Sequence, residues 1–415
     1  MDGARKPPHP LAAVLAGQGA ASACSFITIL ALGRFGGEAE LGLFALGWSC
    51  WFLVMSLGDT LVATPYTYFA SQRRPLCEDL VMTSAWGIVM LCGAVFLLLG
   101  ALRLQGTDGP GALWPALPAA VIAASVREFA RRHLMATARQ GQLLRVDVAG
   151  AVVQLGGVAG LAAAGLLSAV NAFWVIAVAA SVVVLPWCTR ARLLRLLSAR
   201  RMAVRVITVL FGYGRWLLLG GVCHVVSGQA YPWLAFAAGG QRLAGLFAAC
   251  NSLLNLLSPL LTGLTNHFRP QFMLAQSRLS GPEFVGYVRR RLAIFVLPAL
   301  ALGVALGWGG EWALAHLYGP AFRAAAVALP WMSLGLLAVA FAAPLQLALL
   351  ALHAPVTNLL YHGSALLWLG LAMLAAQQQA SMAVLGQVYG AVNVAATLML
   401  ALLFMARCGL RQRAV

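Results

Sequence analysis

The sequence has 415 residues, of which 61% are hydrophobic and only 9% are charged. A soluble domain carries about 25% charged residues, so these charges are too few to cover a water-exposed globule of this size. The net charge of +17 would suit nucleic acid, but the basic residues lie in short segments between long apolar runs, which is typical of loops beside a bilayer. Composition therefore excludes a soluble enzyme and a nucleic-acid partner, and it indicates an all-α polytopic membrane protein.

The apolar runs come in two successive sets of six, each run long enough to cross a hydrocarbon core about 30 Å thick. The first six predicted spans are residues 11–33, 41–69, 80–102, 113–130, 146–167 and 170–188. The second six are residues 208–236, 246–268, 292–308, 324–350, 356–376 and 381–405. Because every gap is short, no domain is expected outside the bilayer. We predict two six-helix lobes, residues 1–188 and 207–415.

The segment between the lobes, residues 189–206, interleaves leucines with six arginines. This pattern favours an amphipathic helix in the cytoplasmic interface, with its arginines on lipid phosphates. A solvated linker is the alternative. Assigning alternate gaps to alternate sides places 24 of the 28 Lys and Arg residues on one side. By the positive-inside rule, both termini are predicted to be cytoplasmic.

One short motif occurs twice. GGEAELGLFAL at 36–46 matches GGQRLAGLFAA at 239–249 in six of eleven positions, at an offset of 203 residues. Both copies fall between the first and second span of their lobe, where a gene duplication would place them. Two like-oriented repeats would be related by an axis along the membrane normal. Chance matching in a chain rich in Gly, Ala and Leu is the alternative.

Several polar residues inside the spans are candidates for function. Asp59 lies deep within the second span, where a charge costs about 2.5–3.5 kcal/mol, and it is the candidate for a coupling proton or cation. Pairing with an arginine of the other lobe and a structural hydrogen bond to neighbouring helices are the alternatives. The eight cysteines are scattered, with no CxxC pair and no His cluster beside them. They are interpreted as packing residues, and neither a metal site nor a cofactor is predicted.

The candidate substrate ligands are basic residues at the membrane boundary and polar residues in the second lobe. A guanidinium binds phosphate oxygens two at a time, so Arg127, Arg215 and Arg269 are candidates for an anionic headgroup, with topology anchoring as the alternative. Polar side chains in hydrocarbon are expected to face inward, where they would meet sugar hydroxyls or each other. The second-lobe candidates are His224, Gln229, Asn251 and Asn255. Asn266, Gln346, Asn358, His362, Gln387 and Asn393 are further polar residues of that lobe.

Catalytic motifs are missing from the sequence: it has no GxSxG, no Walker loop and no HExxH. The chain is therefore predicted not to be an enzyme, and any transport would be driven by an ion gradient or by substrate concentration.

Three stretches of the sequence resemble one family. The outer loop at 36–45, the segment REFARRHLMATARQGQLLRVDVAGAVVQL at 127–155 and LYGPAFRAAA at 317–326 are similar to bacterial polysaccharide-biosynthesis flippases of the O-antigen type. These belong to the multidrug, oligosaccharidyl-lipid and polysaccharide exporter superfamily. The resemblance implies a two-lobed helical bundle in the inner membrane that flips undecaprenyl-diphosphate-linked glycan. It also implies cavity roles for Arg215, Arg269 and Asp59.

The expected partners are the lipid-linked oligosaccharide, membrane lipids, and the polymerase and glycosyltransferases of surface polysaccharide synthesis. Two other functions stay open at this point. One is a cation-coupled drug or metabolite antiporter of the same superfamily, and the other is a non-transporting scaffold for polysaccharide enzymes. The several boundary arginines favour an anionic cargo over a cationic one.

Overall fold

A computed structural model describes residues 10–59, 109–136, 139–187, 200–352, 356–375 and 381–413, and the single positions Gly93, Leu97 and Gly100. For residues 10–18, 200–218 and 409–413, and for some single residues, only the backbone is described. Within these ranges every regular element is a helix. The predicted all-α class is confirmed.

The first half of the described chain contains five α-helices. They are α1 (Pro10–Ala31), α2 (Gly37–Gly58), α3 (Ala116–Ala136), α4 (Gln140–Ala163) and α5 (Ala169–Val184). A π-helical turn, Leu32–Gly36, connects α1 to α2. These helices lie in five of the first six predicted spans. Residues 60–69 of the second span and most of the third span, residues 80–102, lie outside the described residues. Helix α1 packs against α4, and α3 packs against α5.

The second half contains six α-helices, which cover the remaining six predicted spans. They are α6 (Arg200–Leu254), α7 (Ser258–Arg278), α8 (Gly281–Leu317), α9 (Leu329–Ala351), α10 (Val356–Ala375) and α11 (Met382–Arg413). Helix α6 is interrupted at Gly239 and Gly240, where the backbone leaves helical geometry. Helix α9 packs against α8 and α11, and α10 also packs against α11.

Six stretches of the described chain are long and apolar enough to cross a membrane. Two of these, Gly19–Gly58 with 40 residues and Leu219–Arg278 with 60, exceed the length of one span because each joins consecutive helical segments. Two shorter apolar helices, Ala169–Val184 and Leu359–Leu374, accompany them. Helix length and composition thus agree with a multi-pass membrane protein.

Contacts divide the chain into two compact units. The first comprises residues 1–36 and 43–222, and the second comprises residues 37–42 and 223–415. The start of α2 therefore belongs to the second unit. The predicted lobe boundaries at 188 and 207 and the cytoplasmic placement of the termini stay predictions. Most of the predicted linker helix, 189–206, lies outside the described residues, and only its end, from Arg200, is seen as the beginning of α6.

The two copies of the repeated motif share an unusual backbone geometry. Gly37 and Gly240, which are equivalent positions, both have positive φ angles, of 85° and 69°. A side chain is disfavoured in this region, so glycine is needed at the bend between the two helices of each copy. The equivalent residues Phe44 and Phe247 are both buried, each 1% exposed. This agreement in geometry and burial supports duplication over chance matching.

Candidate functional site

A network of ion pairs joins α2, α3 and α4 in the first unit. Asp147 on α4 is 1% exposed, and both of its oxygens accept hydrogen bonds from Arg131 on α3, at 2.7 and 3.2 Å. Glu128 accepts from Arg131 at 2.6 Å and from Arg132 at 3.1 Å. Arg132 reaches Asp59, at the end of α2, with an N–O distance of 2.8 Å. Together with Arg127, the network contains three carboxylates and three guanidinium groups.

Arg127 is the third guanidinium of this network. Its nitrogen lies 3.5 Å from Asp147, and its Nε is buried without a hydrogen-bond partner among the described residues. The neighbouring helix α4 has Gly150 at the point of closest approach, where a Cβ atom would lie 3.1 Å from the Arg127 guanidinium. Glycine therefore gives this side chain its space. The predicted substrate role of Arg127 stays a prediction, and a buried carboxylate already compensates its charge.

Asp59 was the candidate for a coupling ion, with pairing to an arginine of the other lobe as one alternative. Its observed partner, Arg132, belongs to the same unit. Side-chain exposures of 39% and 36% show that this pair is at the edge of the network. The coupling role of Asp59 stays a prediction.

Sequence reasoning missed Asp147, the most deeply buried acid of this network. The predicted fifth span begins at residue 146, so Asp147 was placed at its aqueous end. The available signal was the arginine spacing on α3, because residues 127 and 131 lie one helical turn apart and share a face. Two buried arginines on one face require a counter-ion from a neighbouring helix.

A second concentration of charge lies in the helical hairpin of α7 and α8 in the second unit. The gap predicted between spans, 269–291, is helical except at Leu279 and Ser280. The hairpin holds one acid, Glu283, and five arginines, which are Arg269, Arg278, Arg289, Arg290 and Arg291. No carboxylate of the described residues pairs with any of these five. Within the described part of the chain, the positive charge of the hairpin is therefore not compensated.

The one acid of the hairpin, Glu283, forms hydrogen bonds with a residue at the start of its own helix. The Glu283 carboxylate accepts hydrogen bonds from the backbone N–H of Ser280, at 2.9 Å, and from its hydroxyl, at 2.8 Å. These bonds, at the start of α8, lower the pKa of Glu283 below its usual value. The carboxylate stays ionised at neutral pH and caps the helix, at the opposite end of the hairpin from Arg269 and Arg291.

Charge along α8 indicates where the membrane boundary lies. The nineteen residues from Leu292 to Gly310 contain no charged side chain, and at 1.5 Å per residue they span about 28 Å, close to a hydrocarbon core. Arg291 precedes this segment. Glu311 follows it, and its carboxylate binds Arg323 at 3.0 Å. Arg291 therefore lies at the level where lipid phosphates meet water.

Arg291 is oriented by aromatic rings. Its guanidinium carbon lies 5.2 Å from the ring centre of Phe268 and 5.2 Å from that of Tyr287. Stacking on ring faces leaves the in-plane N–H groups available for oxygen acceptors. Arg269 follows Phe268 directly on α7, so its backbone is at the same level of the hairpin. Arg269 is thus next in sequence to a ring that contacts Arg291, and its predicted ligand role stays a prediction.

The polar candidates of the second unit are dispersed. His224 on α6 lies 3.2 Å from His362 on α10, between Nδ1 and Nε2. Gln229 and Asn251 are half-buried. Asn255 is exposed, and its side-chain oxygen accepts a hydrogen bond from Ser258 at 3.2 Å.

Arg215 was the strongest sequence candidate for an anion ligand. It lies on α6, where only the backbone is described. Its predicted role, like those of Gln229, Asn251 and Asn255, stays a prediction.

No family model and no curated protein matches the sequence. Solved structures do match. An inward-facing multidrug resistance MATE family transporter of the MOP superfamily is similar with a TM-score of 0.77 and 13% identity, over 94% of this chain and 95% of that one. The chain shares the fold of this transporter.

Two further similar structures share this fold. The lipid II flippase MurJ, in an inward closed conformation, has a TM-score of 0.62 and 10% identity, over 93% of this chain and 86% of that one. A MOP superfamily transporter from Pyrococcus furiosus Vc1, described as having a binding pocket of reverse polarity that suggests a different function, has a TM-score of 0.64 and 13% identity, over 96% and 94%. These identities show the fold alone.

Proposed function

We propose that this protein is a flippase for undecaprenyl-diphosphate-linked oligosaccharide in the inner membrane of a bacterium. It would work by alternating access in the synthesis of a surface polysaccharide such as O-antigen, capsule or exopolysaccharide. This role is transport and not catalysis. The fold supports a transporter, because the similar solved structures include both drug exporters and a lipid flippase.

The arginine hairpin of α7 and α8 carries the proposal for the cargo. Five arginines and one locally bound acid leave a strong positive potential at the membrane boundary, where the diphosphate of a lipid-linked sugar lies. The Arg291 guanidinium is stacked on two rings, and Arg269 follows one of these, Phe268, directly in sequence. Together they match a group with two adjacent phosphates better than a cation.

A cation-coupled drug or metabolite antiporter is the second candidate. The highest TM-score among the structures described above, 0.77, belongs to a multidrug transporter, which favours this alternative on fold. Among the described residues, however, each membrane-level acid of the first unit faces an arginine, so that unit offers a cation no uncompensated carboxylate. A non-transporting scaffold is not favoured, because the fold is that of transporters.

A binding measurement tests the cargo. We expect the detergent-purified full chain to prefer undecaprenyl-diphosphate-linked oligosaccharide over undecaprenyl monophosphate. Arg269→Gln is expected to lower affinity for the diphosphate about tenfold or more, since a charge-assisted hydrogen bond contributes about 1.5–3 kcal/mol.

The control is Arg278→Gln, which removes the same charge from the tip of α7 and is expected to leave affinity within about twofold. Equal losses in both variants would show that the hairpin acts only through its total charge. The absence of any preference for the diphosphate would overturn the headgroup proposal.

A further inference from the structure

The pair of histidines in the second unit forms a directional hydrogen-bond chain. The Ser227 hydroxyl donates to the backbone oxygen of His224 at 2.9 Å, so its single proton is used. Ser227 Oγ lies 3.4 Å from His362 Nδ1 and can then only accept, which places a proton on His362 Nδ1. In the neutral tautomer, His362 Nε2 is bare and accepts from His224 Nδ1, 3.2 Å away.

This chain leaves one nitrogen without a proton, His224 Nε2. The His224 side chain is exposed in the second unit, whereas His362 is half-buried. A proton added at His224 Nε2 keeps every bond of the chain and makes the His224–His362 bond charge-assisted, hence stronger. A second proton would occupy His362 Nε2 and remove the acceptor, so the pair is built to hold one added proton.

The surroundings offer no stronger acceptor for this proton. Among the described residues, the titratable neighbours are Tyr361, whose ring centre is 4.8 Å from that of His362, Cys223 beside His224, and Tyr231 and Tyr389, which contact each other. Helix α9 has no titratable side chain, and the charged residues of α11 begin at Arg407. None of these neighbours is a carboxylate. No third metal-binding side chain completes a metal site with the pair in the described part of the chain.

We infer that His224 and His362 form a single-proton site that couples transport to a proton gradient. An ionisable pair within an apolar helical unit is expensive to retain, and two imidazoles joined by a hydrogen bond can hold one added proton between them. Asp59, the sequence candidate for coupling, is already held by Arg132. The coupling part of this inference rests on the proposed transport function, whereas the proton site itself does not.

A direct titration tests the proton site. The full chain, labelled with ¹⁵N-histidine in lipid nanodiscs, is followed by NMR from about pH 8 to about pH 4. We expect the signals of both rings to move together in one transition that takes up one proton. His224→Asn keeps an N–H donor near the position of Nδ1 but has no second nitrogen, so His362 is expected to stay neutral throughout.

His362→Gln, which keeps an acceptor near the position of Nε2, provides a second variant if His224→Asn does not fold. The control His267→Asn removes an exposed histidine of α7 whose hydrogen bond within the described residues is to Gln271, one turn along the helix, and the pair is expected to titrate unchanged. Independent uptake of a proton by each ring, or no titration of either, would overturn the site.

A transport assay tests the coupling role of the histidine pair separately from the identity of the cargo. In proteoliposomes with an imposed proton gradient, His224→Asn is expected to lower gradient-driven movement of undecaprenyl-diphosphate-linked oligosaccharide about tenfold, within the range of usual coupling factors. His267→Asn, the control of the titration, is expected to keep the response to the gradient. Undiminished gradient-driven transport in His224→Asn would refute the coupling role. A wild-type protein that titrates as expected but moves no glycolipid would instead refute the proposed function.

Discussion

Replacing Asp147 with Ala is expected to lower the free energy of unfolding by about 3–5 kcal/mol, the usual cost of leaving buried charges without their partner. Asp147 is 1% exposed, and it is the carboxylate that Arg127 and Arg131 share. Among the described residues, its removal leaves Arg127 with no carboxylate partner and Arg131 with Glu128 alone. Reversible unfolding of the purified protein in mixed micelles measures this change.

Asp59→Ala is the matched control, since it removes one acid from the same network. Asp59 and Arg132 are 39% and 36% exposed, and an ion pair of this kind contributes about 0–1 kcal/mol. Arg132 also keeps Glu128 as a partner. If both substitutions destabilised the protein equally, the network would not be organised around Asp147.

Gly245→Ala is expected to prevent stable folding of the second unit, at a cost of at least about 3 kcal/mol. A Cβ atom at Gly245 would overlap the backbone carbonyl of Glu38, and one at the equivalent Gly42 would overlap the carbonyl of Gln241. Glu38 and Gln241 are themselves equivalent residues, so the two motif copies contact each other reciprocally. Backbone atoms cannot rotate away as a side chain can, and close helix contacts in membranes depend on such small residues.

Gly228→Ala is the control for this prediction. It lies on the same helix, α6, and a Cβ atom there would meet nothing within 4 Å, so the substitution is expected to be neutral or to stabilise by up to about 1 kcal/mol. Gel filtration and thermal unfolding of the three proteins are compared. A folded Gly245→Ala protein as stable as Gly228→Ala would contradict the close contact between the copies.

The sequence was sufficient to predict the helices because long apolar runs leave few other structures possible in a membrane. Helices such as α9 and α10 agree with their predicted spans within a few residues. The repeated motif was also visible, because glycine is required both at the bend and at the close contact. What the sequence could not show is that Glu38, in one copy, forms an ion pair with Arg242 in the other, at 2.5 Å.

The candidate sites were less predictable, because they depend on which helices become neighbours. His224 and His362 are 138 residues apart, and nothing in either local pattern marks the other as its partner. Asp147 was missed because its position at a span boundary resembled an exposed one. Arg269 was predicted from its place at the membrane boundary, but Arg291 required the packing of Phe268 and Tyr287 against it.

Movement of the glycolipid itself tests the central proposal most directly. The full chain is reconstituted into vesicles that carry fluorescent undecaprenyl-diphosphate-linked oligosaccharide, and an impermeant quencher reports the glycan that reaches the outer leaflet. We expect flipping that depends on the protein, falls about tenfold in Arg269→Gln and persists in Arg278→Gln, with no export of ethidium. Vesicles that flip no more glycan than protein-free ones, while exchanging ethidium for protons, would contradict the flippase and favour the drug antiporter.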